Sequence, residues 1–447
     1  MKKTFAAALA FLMTLSMASC GNFGRPDPKT VIRKNGDDDS SRTSLYDELF
    51  PTDEEESSQP EKEEISDSND AKKIIQTVVH NMTLEEKVGQ LFFVRADALE
   101  TGYENKVVND DSIGGVTYVD DMMIKALGKY HVGGVILMEK NIVDEDKLAE
   151  LTDKLQKNSG FPMFIGIEEL GGDYAPIANN MNFDVPLFDN MNEVGKTATA
   201  NNAKKVGKSI GKYLISYGIN IDFAPVADVS LDKDKVKDTN FAADPEKVAS
   251  MVEAEIDGLH EAGVMTAVKH FPGYGDKTTD KKTVPENGFL WDNIMESSGL
   301  AFTGSLEKTD ILMVGHIMLP AVSDDGLPAS MSQQIIQKKI REELGYRGVI
   351  ITDAMSAQCI TENYVKREIA VNAIIAGADM ILMPYDLDEA FDSVMKAVED
   401  GEISEIRINQ SVERILTLKA KRGLFDVEEA EKELSLKALN NADTTSD

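Results

Sequence analysis

From residue 91 to residue 383 the chain keeps returning to one pattern: a short apolar, often β-branched run, then a longer stretch with apolar positions spaced three or four apart. The runs at 91–94, 134–138, 163–167, 219–223, 264–268, 311–314, 349–352 and 380–383 read as strands. The stretches at 146–156, 198–217, 245–262, 333–344 and 365–376 read as helices with one apolar face. Eight strands with intervening helices over roughly 350 residues predict an α/β fold, a closed parallel (β/α)8 TIM-type barrel, in preference to an open doubly wound sheet. No Gly-x-Gly-x-x-Gly turn follows an early strand, so nothing argues for a dinucleotide site.

A barrel places its chemistry at the C-terminal ends of its strands. Polar residues stand there: Glu168 and Glu169 after the third run, Asp228 after the fourth, Lys269 and His270 after the fifth, His316 after the sixth, Asp353 after the seventh. Any one of them could be a buried polar group that ties down a loop. Taken together they point to a site. The richest stretch is Lys269-His270-Phe271-Pro272-Gly273-Tyr274-Gly275-Asp276, which joins a cation, an imidazole and a glycine-bent turn to the end of a strand. Ile350-Ile351-Thr352-Asp353 delivers a carboxylate in the same way, and the pair suggests sugar chemistry.

Other chemistries are disfavoured. His80, His131, His260, His270 and His316 show no close metal-ligand spacing, neither cysteine has a partner, and Gly195-Lys196-Thr197 lacks the upstream glycine of a phosphate loop. No metal and no cofactor is expected. A formal charge of -31 opposes nucleic acid or anionic lipid as the main partner. At 447 residues and 42% hydrophobic positions, the chain can bury one large core or two modest ones.

The beginning of the chain reads differently. Lys2 and Lys3 precede an apolar stretch at 5–17 that is short for a membrane span and suits a signal peptide. Met17-Ala18-Ser19-Cys20 resembles the bacterial lipoprotein cleavage box, so residues 1–20 are expected to be processed and Cys20 to carry lipid. That anchor would hold the protein to the outer face of a bacterial membrane. Cys359 would then stand alone, without an intrachain disulfide. Residues 21–70, with Asp37-Asp38-Asp39 and Asp53-Glu54-Glu55-Glu56, read as an extended acidic tether, 71–425 as the barrel, and 426–447 as a charged tail. A monomer is expected.

The barrel region resembles glycoside hydrolase family 3, in particular its single-domain β-N-acetylhexosaminidases, from about His80 to Phe425. The likeness is carried by Met82-Thr83-Leu84-Glu85-Glu86-Lys87-Val88-Gly89-Gln90-Leu91, Asn220-Ile221-Asp222-Phe223-Ala224-Pro225, Lys269-His270-Phe271-Pro272-Gly273 and Pro328-Ala329-Ser330-Met331-Ser332. The resemblance implies a retaining double displacement with Asp353 as nucleophile. It also implies that Lys269, His270 and Glu168 hold sugar hydroxyls, with Asp228 beside the same pocket. The substrate would be a carbohydrate, with peptidoglycan fragments in view for a protein that faces the wall.

The departures bear on catalysis. Where the family carries an Asp-x-His acid/base dyad, this chain reads Asp280-Lys281-Lys282, so the aspartate is present and a lysine replaces the histidine. A lysine ordinarily titrates near 10.4, above the range that suits proton transfer at neutrality. Asp280 is therefore the expected proton donor. Asp173 stands in place of one family arginine and Thr239 in place of another, each removing a bidentate donor. Three readings stay open: a working exo-acting hexosaminidase, a catalytically silent sugar- or wall-binding lipoprotein, and a structural surface protein.

Overall fold

The computed structural model describes residues 69–432 except 198, 276 and 278–281, so Cys20 and Asp280 lie outside the described residues. Eight parallel strands form its centre: β1 (Phe92–Arg95), β2 (Gly134–Ile136), β3 (Phe164–Ile167), β4 (Ile221–Asp222), β5 (Met265–Phe271), β6 (Ile311–Val314), β7 (Val349–Thr352) and β8 (Ile381–Leu382). Their order is β7-β6-β5-β4-β3-β2-β1-β8. A parallel bridge between Ile351 and Met380 then joins the two ends and closes the barrel. The (β/α)8 expectation is met.

The strands stand where the apolar runs do, but β2, β3, β4 and β8 are shorter than their runs. β4 stops at Asp222 because Pro225 has no N–H for the ladder, and pairing resumes at a Val226–Lys269 bridge. β8 stops before Met383, whose φ of 45° leaves the extended region and is followed by Pro384. Every described strand residue is buried except His270, which is partly open. The interior is locked by aromatics: the rings of Phe93 and Phe223 meet edge-on at 5.0 Å, and Phe164 stacks on Phe93 at 6.3 Å. Gly134 and Gly166 make room for them, since a Cβ at either position would lie within 2.8 Å of a phenylalanine ring.

Local signals set the surrounding helices. Asp144 caps Glu145–Asn158 by accepting the Lys147 N–H, and Asp244 does the same for Pro245–Glu261, whose first residue is proline. That helix packs tightly on Asn201–Ser216, because Gly258 lets the Lys204 carbonyl approach to 2.0 Å of where a Cβ would sit. The stretch predicted at 333–344 is helical from Gln334 to Glu343 but with i to i+5 bonding rather than the α pattern. The first described helix, Asn69–Asn81, begins two residues before the expected barrel boundary and packs against the last long one, Glu405–Lys421. Packing also continues past Phe425, as Val427 and Ala430 are buried.

Candidate active site

β7 hands the chain directly to Asp353, whose N–H donates to the Val314 carbonyl of β6 at 2.9 Å. The side chain is thereby fixed at the C-terminal rim. Its Oδ2 accepts the Tyr274 hydroxyl at 2.7 Å and its Oδ1 accepts the Ala354 N–H at 2.7 Å. Burial opposes ionisation, yet His270, His316, the Tyr274 hydroxyl and the Ala354 N–H hold the carboxyl down to about 2. Asp353 is a carboxylate at neutral pH.

Tyr274 is the hinge of the arrangement. Its N–H donates to Asp228 Oδ1 at 2.9 Å, while its hydroxyl both donates to Asp353 and accepts the His316 N–H at 2.7 Å. Burial and the Asp353 charge push the phenol well above its ordinary range, so the hydroxyl keeps its proton. Asp228 Oδ2 in turn lies 2.9 Å from His270 Nδ1. Burial favours a neutral His270, but Asp228 and Asp353 outweigh it and raise its affinity for the proton.

His316 plays a quieter part. Its Nε2 lies 3.0 Å from the Ala354 carbonyl, which can only accept, so Nε2 carries the proton and Nδ1 accepts the Ser330 hydroxyl at 2.8 Å. Burial lowers this ring's affinity for a second proton, against the pull of Asp353. It braces the turn that holds Asp353.

Lys269 is 1% exposed, and its ammonium pairs with Glu168, whose side chain stays half exposed at the mouth. Beneath it lie Asp222 and Glu255, each with one carboxyl oxygen that has no hydrogen-bond partner among the described residues. Burial raises both, Glu255 to about 8, although Lys269 pulls the other way. Glu169 faces inward instead: it accepts the Ile177 and Ala178 N–H groups and the Tyr213 hydroxyl, and burial raises it to about 7. It ties down the loop after β3.

Of the residues singled out from sequence, the fold gathers Asp353, His270, Asp228, Lys269 and Glu168 at one rim. Lys282 is described, and its carbonyl accepts the Asn363 amide at 2.9 Å. The Thr239 hydroxyl donates to Asn240 Oδ1 at 3.1 Å. Tyr274 was visible in the sequence as the residue standing where the family usually has a second histidine, and His316 only as a polar residue after a strand. The signal for His316 was position at a strand end rather than residue type.

The model of the Glycosyl hydrolase family 3 N terminal domain matches residues 83–418, a span that contains all of these groups. The chain belongs to glycosyl hydrolase family 3. Its similarity to individual family 3 proteins is moderate. It is 29% identical over 350 residues to the Beta-hexosaminidase A of Pseudoalteromonas piscicida, covering 71% of this chain and 58% of that protein. It is 27% identical over 371 residues to a Beta-N-acetylglucosaminidase/beta-glucosidase of Cellulomonas fimi, covering 78% and 60%. Among solved structures, the glycoside hydrolase family 3 beta-N-acetylglucosaminidase of Paenibacillus sp. str. FPU-7 matches with a TM-score of 0.68 and 31% identity, covering 77% of this chain and 63% of that one. The chain thus spans about three fifths of the length of these relatives.

Proposed function

We propose that this family 3 barrel is a retaining, exo-acting β-N-acetylhexosaminidase that removes terminal β-linked N-acetylhexosamine from cell-wall or related glycan fragments. The observation that carries the reading is Asp353, a partly open carboxyl at the rim of the barrel whose pKa is held down to about 2. Its supports, Tyr274 and the Ala354 N–H, each occupy one oxygen once and leave lone pairs for an anomeric carbon. In the first step a carboxylate oxygen bonds to that carbon as the bond to the aglycone oxygen breaks, and the departing oxygen takes a proton. In the second, water attacks the glycosyl ester, loses its proton to the acid/base, and releases both the sugar and the carboxylate. Lys269, His270 and Glu168 hold hydroxyls of the bound sugar, with Asp228 keeping His270 cationic. Asp280 supplies and recovers the proton, and the protein works at the outer face of a membrane through lipid on Cys20.

The names of the relatives support this substrate class. The test is hydrolysis of an aryl N-acetylglucosaminide and an aryl glucoside by the full chain, with Asp353→Asn as control. Turnover of the first that disappears in the variant supports the reading; turnover that survives it removes Asp353 as nucleophile. The second reading, a sugar-binding protein without turnover, draws on Lys282 in the place of the dyad histidine. Binding of wall fragments without hydrolysis, before and after Lys282→His, would favour it.

A further inference from the structure

At the opposite end of the barrel, where β6 and β7 begin, a cleft of about 700 Å³ opens between the first and last long helices and the turn at 344–348. Its lining carries Lys72, Lys308, Arg347, Arg414, Lys421 and Arg422. Several of these are spoken for. Arg422 Nε donates to the buried Asp310 at 2.6 Å, Arg414 to the buried Asp379 at 2.9 Å, and Lys308 pairs with Asp257 at 3.0 Å. Three remain. Lys72 and Lys421 form no ion pair among the described residues, and Arg347 makes one hydrogen bond, from Nη1 to the Arg341 carbonyl at 3.1 Å, which leaves most of its fork open.

Three uncommitted cations on one concave face are unexpected in a chain of net charge -31. Concave protein walls focus such a field, and a guanidinium that shares a cleft with two ammonium groups suits the oxygens of phosphate. Glu307 and Glu413 share the lining, so the positive excess is small and the affinity should fall steeply with salt. The four residues of β7 separate Gly348 from Asp353, five steps along the strand, which puts the cleft about 17 Å from the proposed nucleophile at 3.3 Å per residue. It is a different place from the catalytic mouth.

We infer that this basal cleft is a second binding site, specific for a phosphate-bearing ligand and independent of glycoside hydrolysis. The ligand is either a soluble phosphorylated compound or a phospholipid headgroup, which share the same recognised chemistry. The probe for the first is inorganic pyrophosphate, titrated calorimetrically at low salt into the full chain with Cys20→Ala, which removes any acyl anchor. The probe for the second is sedimentation of the same protein with phosphatidylglycerol vesicles, with phosphatidylcholine vesicles as blank.

Saturable binding of either probe that weakens at least tenfold in Lys72→Glu/Lys421→Glu, and is unchanged in Asp353→Asn, supports the site and names the source. Arg347→Glu should give a loss of similar size. The paired lysine variant makes the result secure, because neither lysine bonds to the fold. Absence of binding by both probes, binding that survives the paired substitution, or pyrophosphate that competes with an aryl glycoside would each overturn it. Because hydrolysis is read separately, loss of this site and loss of the proposed activity are distinguishable.

Discussion

Asp379 and Asp353 sit at opposite ends of the same barrel, the first fully buried and the second partly open, and both are held below the ordinary carboxyl range by different means. Around Asp379, at the base, Arg341 and Arg414 donate directly, Arg407 adds its charge, and the Ser411 hydroxyl and the Ile350 N–H complete the shell. Around Asp353, at the mouth, one hydroxyl and one N–H suffice, with the His270 charge standing off behind them. The saturated carboxylate organises structure. The sparsely bonded one keeps the capacity to form a new bond.

The sharpest test of that contrast is to neutralise each in turn. Asp353→Asn should lower turnover of an aryl N-acetylglucosaminide by at least about 10³-fold. It should also remove about 2 kcal/mol of stability at neutral pH, from nearly two pH units at about 1.4 kcal/mol each. For a depressed carboxyl that stability is present above about 4 and fades as pH falls towards about 2, so urea unfolding across this window should show a loss in the wild type that the variant lacks. Asp379→Asn should do the reverse: unfolding should become easier by about 3 to 5 kcal/mol, because guanidinium groups are left buried without their anion. Its kcat per folded molecule should hold.

A smaller effect is expected from Tyr274→Phe. It removes one bond to Asp353 and one acceptor of the His316 N–H, and kcat/KM should drop by roughly tenfold, the worth of one hydrogen bond to a charged group. An unchanged rate would mean that the hydroxyl is dispensable and the histidines alone hold the carboxylate. The mildest change should come from Asp228→Asn. His270 is raised by its carboxylate neighbours, so its cationic form is fully present below the ordinary imidazole value and is lost as pH climbs through the folded one. Removing Asp228 takes away the largest of those raising groups. The alkaline limb of the pH profile of kcat/KM should therefore move to lower pH, and a limb that stays in place would assign it to another group.

The barrel itself was legible because its strands are continuous apolar runs; 311–314 and 349–352 coincide with β6 and β7 residue for residue. The runs overshot by one or two residues at β2 and β3; at β4 and β8 backbone chemistry intervened through Pro225 and the left-handed Met383. Hydropathy does not register either. Among site groups, the charged residues at strand ends were found, since a charge after an apolar run is conspicuous. Tyr274 stood out only as the replacement of a family histidine and its role did not, because its bond to Asp353 spans 79 residues. The arginine shell of Asp379 was equally hidden. Arg341, Arg407 and Arg414 lie on two helices, where each alone looks like solvated surface.

The contact between the first and last long helices has a practical corollary. Gln76 on Asn69–Asn81 lies within hydrogen-bond reach of Glu413 on Glu405–Lys421, so these two helices meet on the side away from Asp353. A cargo, a solid support or a fluorescent reporter attached at Lys73, which is exposed on the first of these helices, would hang below the barrel and leave the mouth unobstructed.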